Sequence, residues 1–166
     1  MPSVRRFQPH EWHLYRDLRL AALRDAPHAF GSTLAREEAF PEEQWRARLA
    51  VGTASPLNHP IVAEDDAGRA VGLAWARIEP TDTSMATLYQ VWVHPDARRR
   101  HFGAALLASA VHWAQEAGAR MMELHVALGP DSAIAFYQRA GFVECGACSP
   151  LRPGSERVQQ PMRLVL

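Results

Sequence analysis

Val91-Trp92-Val93-His94-Pro95-Asp96-Ala97-Arg98-Arg99-Arg100-His101-Phe102-Gly103-Ala104-Ala105-Leu106-Leu107 reads as a strand, a basic turn and a helix start in immediate succession. Thr87 to Val93 is rich in aromatic and β-branched residues and is stopped by His94-Pro95-Asp96, as a pleated strand should be. From about Phe102 to Glu116 the apolar residues Leu106, Leu107, Ala110, Val111, Trp113 and Ala114 fall at helical spacing, and Gly118 stands as a terminator. The small residues Gly103, Ala104 and Ala105 leave the first-turn amides uncovered. Unpaired N–H groups at the positive end of a helix dipole form a site for a phosphate or pyrophosphate. Arg98, Arg99 and Arg100 add charge beside it. Taken alone, three arginines also fit a solvated turn before an ordinary helix. The glycine and alanines in register favour the anion site.

Working outward, Val4 to Phe7 is a short first strand, and Glu11 to Arg24 is a helix carrying Leu14, Leu18, Ala21 and Ala22 on one side. Pro41-Glu42-Glu43 opens a second helix with Trp45 and Leu49 inward. Between them, Phe30-Gly31-Ser32-Thr33 suits either a mobile loop over a pocket or a plain connector. His59 to Ala76 is a hairpin turning at Asp65-Asp66-Ala67-Gly68-Arg69. Met121 to Leu128 is a strand, and Asp131 to Ala140 a helix with an acidic cap and Gly141 as its left-handed terminator. Phe142-Val143-Glu144 and Met162 to Leu166 are the last strands. A strand-heavy first half followed by β-α-β-α-β gives an α/β (α+β) class with a mixed sheet.

Composition narrows the function classes. A chain of 166 residues, 48% hydrophobic and 22% charged, fits one folded domain. Lys plus Arg and Asp plus Glu balance at 18 each, so no global field points to nucleic acid or an anionic membrane, and neither is expected as a partner. Basic residues at the N-terminus have no apolar run behind them, so a cytoplasmic location is expected. Cys145 and Cys148 form a C-x-x-C without a second ligand pair. Two reduced thiols are expected, rather than a redox pair, and no metal site.

Arg100-His101-Phe102-Gly103-Ala104-Ala105 resembles the Gln/Arg-x-x-Gly-x-Gly/Ala acetyl-CoA motif of the GCN5-related N-acetyltransferase superfamily. Ala133-Ile134-Ala135-Phe136-Tyr137-Gln138-Arg139-Ala140-Gly141-Phe142 is similar to a second family segment, A-x-x-x-Y-x-x-x-G-F. The resemblance covers residues 60 to 146. It implies a mostly antiparallel sheet with splayed fourth and fifth strands flanked by about four helices. It also divides a single domain into N-terminal substrate-facing elements (1–58), an acetyl-CoA core (59–146) and a C-terminal strand region (147–166). Acetyl-CoA is the implied co-substrate, with its pantetheine arm along Val91, Trp92 and Val93 and its pyrophosphate on the amides of Arg98 to Ala105. Ser132 and Tyr137 are further implied contacts. The backbone N–H of Val93 is implied to stabilise the oxyanion, and Tyr137 to protonate the departing thiolate.

Three residues depart from the family pattern. Thr87 stands where some members carry a general-base Glu and cannot do that work. Ordered water, His125, Glu123 or Glu38 remain for the base, and His125 is preferred because its ordinary pKa lies near neutrality. Pro130 replaces a frequent Asn, with Asp131 or Ser132 as substitute contacts, and Arg99 a frequent Gly. On the acceptor side, Phe30, Glu38 and Tyr89 are the candidate contacts for a small-molecule or peptide amine. A CoA-binding domain without turnover is the alternative, supported by Thr87 and opposed by Tyr137. A homodimer is expected from family habit and from the apolar Met162-Arg163-Leu164-Val165-Leu166.

Overall fold

The computed structural model describes residues 1–166. Its sheet runs in the order β1-β2-β3-β4-β5-β8-β6, with β7 also on β8. These are β1 (Ser3–Arg6), β2 (Asn58–Glu64), β3 (Ala70–Glu79), β4 (Asp82–Val93), β5 (Met121–Ala127), β6 (Val143–Glu144), β7 (Ser149–Pro150) and β8 (Val158–Val165). The helices are α1 (Trp12–Asp25), α2 (Leu34–Glu38), α3 (Glu42–Ala54), α4 (Phe102–Glu116) and α5 (Ile134–Arg139). All strand pairs are antiparallel except β4 with β5. No helix is long and apolar enough to cross a membrane.

Alternation along β2 and β3 divides the core in two, because successive side chains in a strand point to opposite faces. Ile61, Ala63, Ala74, Ala76 and Ile78 pack beneath Phe102, Leu106, Leu107 and Ala110 of α4. Val62, Leu73 and Trp75 pack on the other face against Tyr15, Leu18 and Leu23 of α1 and Trp45 and Leu49 of α3. Gly72 lets the layers close: a Cβ there would lie 2.8 Å from Trp92 O and 3.3 Å from Leu106 Cδ1.

The sheet does not stay closed. β4 and β5 pair only where Met85, Ala86 and Thr87 face Met121, Met122 and Glu123. Beyond that point β4 stays on β3 and β5 on β8, so the parallel pair opens into a cleft. Tyr89 pairs with Trp75 and Trp92 with Leu73, so three steps along β4 match two along β3. This bulge centres on Gln90, a non-glycine at φ 59°. An inserted residue reverses which face later side chains meet. Before it, Leu88 lies on the α4 side and Tyr89 on the α1 side; after it, Val91 and Val93 turn to α4 and Trp92 to α1.

Several boundaries differ from the sequence reading. β4 begins at Asp82 and β8 at Val158, because β-ladder pairing carries polar residues that periodicity alone leaves out. α5 starts at Ile134, not Asp131, and has no acidic cap. Gly129 (φ 144°) and Pro130 hold the preceding residues in a turn, and Ser132 Oγ accepts from Ile134 N at 3.3 Å. The short α2 fills part of the expected loop. Arg152 pins residues 27–31 by donating to the carbonyls of Pro27, Phe30 and Gly31 at 3.1, 2.9 and 3.3 Å. That segment is a clamped connector. The apolar C-terminal strand lies inside the sheet: β8 has β5 along one side, and on the other β7 at Val158 and Gln159 and β6 at Met162 and Arg163.

Candidate functional site

The mouth of the cleft is built by the turn between β4 and α4. Arg99 (φ 62°) and His101 (φ 68°) are both left-handed, which folds the chain so that successive amides point the same way. The N–H groups of Arg99, Arg100 and His101 have no partner in the protein. Those of Phe102, Gly103 and Ala104 precede the first bond of the helix, from Ala105 N to His101 O at 3.0 Å. No side chain caps this terminus. The result is a run of backbone donors at a helix dipole, which fits a pyrophosphate. Arg99 holds φ 62° with the strain of a left-handed Cβ.

Arg98 is used differently from its neighbours. Its Nε donates to Val93 O at 3.1 Å, and its Nη2 is paired with Asp25 Oδ2. Asp25 also accepts from Trp92 Nε1 at 2.9 Å. Burial works against the Asp25 charge, but the bonds from Trp92 and Arg98 outweigh it and hold the carboxyl below its usual range. The end of α1 is thereby fastened to the rim of the cleft. Arg100 instead lies over the Phe102 ring at 5.5 Å.

Val93 presents its backbone to the open side. His94 N donates to Val71 O at 2.7 Å, which marks that pair as hydrogen-bonded. In an antiparallel ladder the adjacent pair, Gly72 with Val93, then points its N–H and C=O away. The Val93 carbonyl meets Arg98 there, and its N–H faces the cleft.

α5 docks at the same mouth. Phe136 Cζ lies 3.5 Å from where a Cβ on Gly103 would sit, and Val93 Cγ2 3.9 Å from it. Tyr137 is buried in the α4-side core between Phe136 and Phe142, with ring centroids 5.0 and 5.8 Å away. Burial pushes its pKa well above the ordinary phenol value. Its hydroxyl has no protein partner and is not among the sealed, unsatisfied polar atoms. It is a protonated group with a free bond to offer. Ser132 sits at the entry to α5, half-buried.

On the face away from α4, β4 and β5 carry a polar patch. Thr87 donates to Glu79 Oε1 at 3.0 Å. Glu123, opposite Thr87, lies between His125 Nε2 (3.6 Å) and Arg163 Nε (2.7 Å). His125 is exposed on β5, on this face and beside the splay. Tyr89 stacks on Trp75 at 6.2 Å, and burial pushes its pKa up to about 12.

Phe30 and Glu38 are placed elsewhere. Phe30 is buried in the α1-side core with the Arg19 guanidinium 5.0 Å from its ring, so it packs and lines no open surface. Glu38 is exposed at the end of α2, while its neighbour Glu37 is the buried acid, paired with Arg19 (3.1 and 2.9 Å) and Arg48 (3.2 Å). Burial opposes the Glu37 charge, but Arg19 overcomes it and holds the pKa below normal.

The sequence reading missed Asp25, Tyr15 and Gln90. Tyr15 is 1% exposed, and its hydroxyl donates to Gln90 Oε1 at 2.7 Å, holding the bulge from α1. Nothing local marks these residues, since their partners are 67 or more positions away. Both cysteines are free thiols, and no group of His, Cys, Asp and Glu assembles as a metal site.

Comparison with known proteins identifies the family and the fold. The sequence pattern of the acetyltransferase (GNAT) family matches residues 12–142. A mycothiol acetyltransferase of Propionibacterium freudenreichii is 31% identical over 144 residues, covering 81% of this chain and 46% of the relative. The chain spans less than half the length of the curated relatives it matches. Among solved structures, a GNAT-family acetyltransferase from Streptococcus pneumoniae superposes with a TM-score of 0.78 at 19% identity over 100% of both chains. Spermidine N-acetyltransferase from Vibrio cholerae, in complex with CoA and spermine, does so with 0.77 at 17% identity over 99% of this chain and 95% of that one. At these identities the two structures speak for the fold.

Proposed function

The chain belongs to the acetyltransferase (GNAT) family, and from that premise we propose that it transfers an acetyl group from acetyl-CoA to a primary amine. The observation that carries this reading is the conjunction of the β4–β5 splay with the unpartnered amides of residues 99–101 at the start of α4. Those donors fit a pyrophosphate, and the open edge of β4 leads from them into the sheet, as a strand edge that receives an extended ligand does.

When bound, acetyl-CoA supplies an activated thioester carbonyl and a thiolate leaving group. The protein's own groups then have distinct tasks. The amides of Arg99 to Ala104 and the charge of Arg99 and Arg100 hold the phosphates. The Val93 N–H, aimed into the cleft, stabilises negative charge on the carbonyl oxygen. The Tyr137 hydroxyl, neutral and unpartnered, gives its proton to the departing sulfur. The acceptor approaches over Thr87 and Tyr89, and its ammonium proton leaves through water towards His125, with Glu123 holding the imidazole.

The free thiols Cys145 and Cys148 fit a reducing compartment, and we place the enzyme in the cytoplasm. Sedimentation at micromolar concentration tests the homodimer suggested by family habit.

The cofactor site is tested with Gly103→Asp. Gly103 has ordinary van der Waals room for a Cβ, so the variant should fold, while its carboxylate lies against the phosphate site. CoA affinity by calorimetry should fall by at least about tenfold. A folded variant with unchanged affinity refutes the placement. Acetyl-CoA-dependent thiol release over a panel of amines tests the activity.

A further inference from the structure

Past Thr87 and Glu123 the strands β4 and β5 no longer pair, yet on the α1 face their separated ends are joined again by a second route. From β4 the route starts at Trp92, whose Nε1 donates to Asp25 Oδ2 at 2.9 Å at the end of α1. Arg98 doubles that link by bonding both Val93 O and Asp25. The connector 27–31 follows. From β5 the route starts at Leu128, whose N donates to Val158 O at 2.9 Å. The loop 151–157 runs back from there, and Leu151 N closes it by donating to Arg157 O at 2.8 Å. The two loops meet on the α1 face, where every hydrogen bond between them comes from Arg152, to the carbonyls of Pro27, Phe30 and Gly31. Leu151 is 5% exposed, and a Cβ on Gly31 would lie 3.2 Å from its carbonyl oxygen, so the loops touch closely.

Bonded links therefore run without a break around the α1-side opening of the cleft. The parallel pair closes one end, β4 and β5 form the sides, and the arch of the two loops closes the other. Resting on the acetyl-transfer reading above, we infer that this opening is a closed window whose width Arg152 sets, so that the acceptor is a slender, unbranched amine and not one carried on a bulky ring or a folded surface. Acetyl-CoA fills the cleft from the α4 side, where the free amides of residues 99–101 lie. The amine then reaches the thioester only through the window, beside Tyr89 to Trp92 and next to the Val93 N–H. A groove open at one end lets a wide acceptor lie across its rim, whereas a ring does not. Packed protein resists compression, and steric rejection of one partner raises the preference for another without any new contact to the favoured one. Arg152 is a positioning residue in this scheme, since it acts through the loops it joins.

Primary amines of like basicity and rising width test this: hexylamine, cyclohexylmethylamine and adamantylmethylamine. In acetyl-CoA-dependent thiol release the wild type should use hexylamine with a kcat/KM at least about tenfold above that of the adamantyl amine, with the cyclohexyl amine between them. Arg152→Ala removes the bonds across the arch, two of which lie in solvent, so folding is not at stake. It should bring that ratio to within about threefold through a gain on the wide amines, with CoA affinity in calorimetry unchanged. Arg152→Lys keeps the charge but replaces the guanidinium fork by a single ammonium, and should fall between the two. Equal use of the three amines by the wild type, or a ratio unmoved by either variant, overturns the window while acetyl transfer stands. A loss shared equally by all three amines also overturns it, because Arg152 is then a structural clamp only. Release with no amine of any width, from protein that binds acetyl-CoA, overturns both.

Discussion

Tyr137→Phe separates chemistry from packing. The hydroxyl has no partner, and the ring's edge contacts with Phe136 and Phe142 are available to phenylalanine unchanged. Removing a hydroxyl that no protein group bonds leaves no orphaned partner, so stability should move by no more than about 0.5 kcal/mol in either direction. The catalytic effect should be far larger. Loss of a general acid lowers kcat by about 10²–10⁴-fold, or roughly 3–5 kcal/mol of barrier. The raised pKa of Tyr137 gives a second signature. The group stays protonated above its ordinary range, so it should add no falling limb to the wild-type profile across roughly pH 6–9. The deficit of the variant should narrow at low pH, where solvent supplies the proton. Saturating thiol-release kinetics across that range, with urea midpoints for both proteins, measure the two effects. A variant that keeps nearly full kcat at every pH would show Tyr137 to be a packed aromatic and no acid.

Arg99→Gly should raise the unfolding free energy by up to about 0.5 kcal/mol, read as a higher urea midpoint, because glycine relieves the left-handed Cβ at φ 62° and returns part of that gain as unfolded-state entropy. Tyr15→Phe leaves the Gln90 amide without its 2.7 Å donor, so it should cost about 1–2 kcal/mol and weaken CoA binding in calorimetry through a loosened bulge. His59 is stacked on Trp113 at 5.0 Å, and burial, then Arg6, lowers its pKa to about 4 from 6.5. Between those values the unfolded chain binds the proton and the folded one does not, so stability falls as pH drops from 6.5 to 4. For a half-buried ring this amounts to roughly 1 kcal/mol. His59→Phe should flatten that part of the urea-midpoint profile, and an unchanged slope would assign the dependence to other groups.

The parts of the site that were legible in the sequence are those written within one turn or strand. Gly103, Ala104 and Ala105 follow a strand and a single basic turn, so a helix start with uncovered amides could be read from that stretch alone. Tyr137 was found through its neighbours Ala133 to Phe142, although the start of its helix was set by Gly129 and Pro130 and not by Asp131. The bulge at Gln90 was hidden because no glycine marks it: α1 supplies the stabilising contact, through Tyr15, from 75 positions away. Asp25 with Arg98 and Glu37 with Arg19 are likewise pairs that exist only after the sheet forms. Glu37, not Glu38, is the buried acid of α2, and a five-residue helix gives periodicity too little length to tell its buried side from its exposed one.

The bulge in β4 also makes the strand a practical engineering boundary. Residues before Gln90 and residues after it obey opposite parity, so Tyr89 and Thr87 face one compartment while Val91 and Val93 face another. On the proposed reading, libraries that vary the first group should retune which amine is accepted without drawing on the second, which borders the proposed CoA cleft. A single-residue deletion at Gln90 would merge the two halves into one reading frame and turn Trp92 into the wrong layer, which makes this strand far more tolerant of substitution than of a change in length.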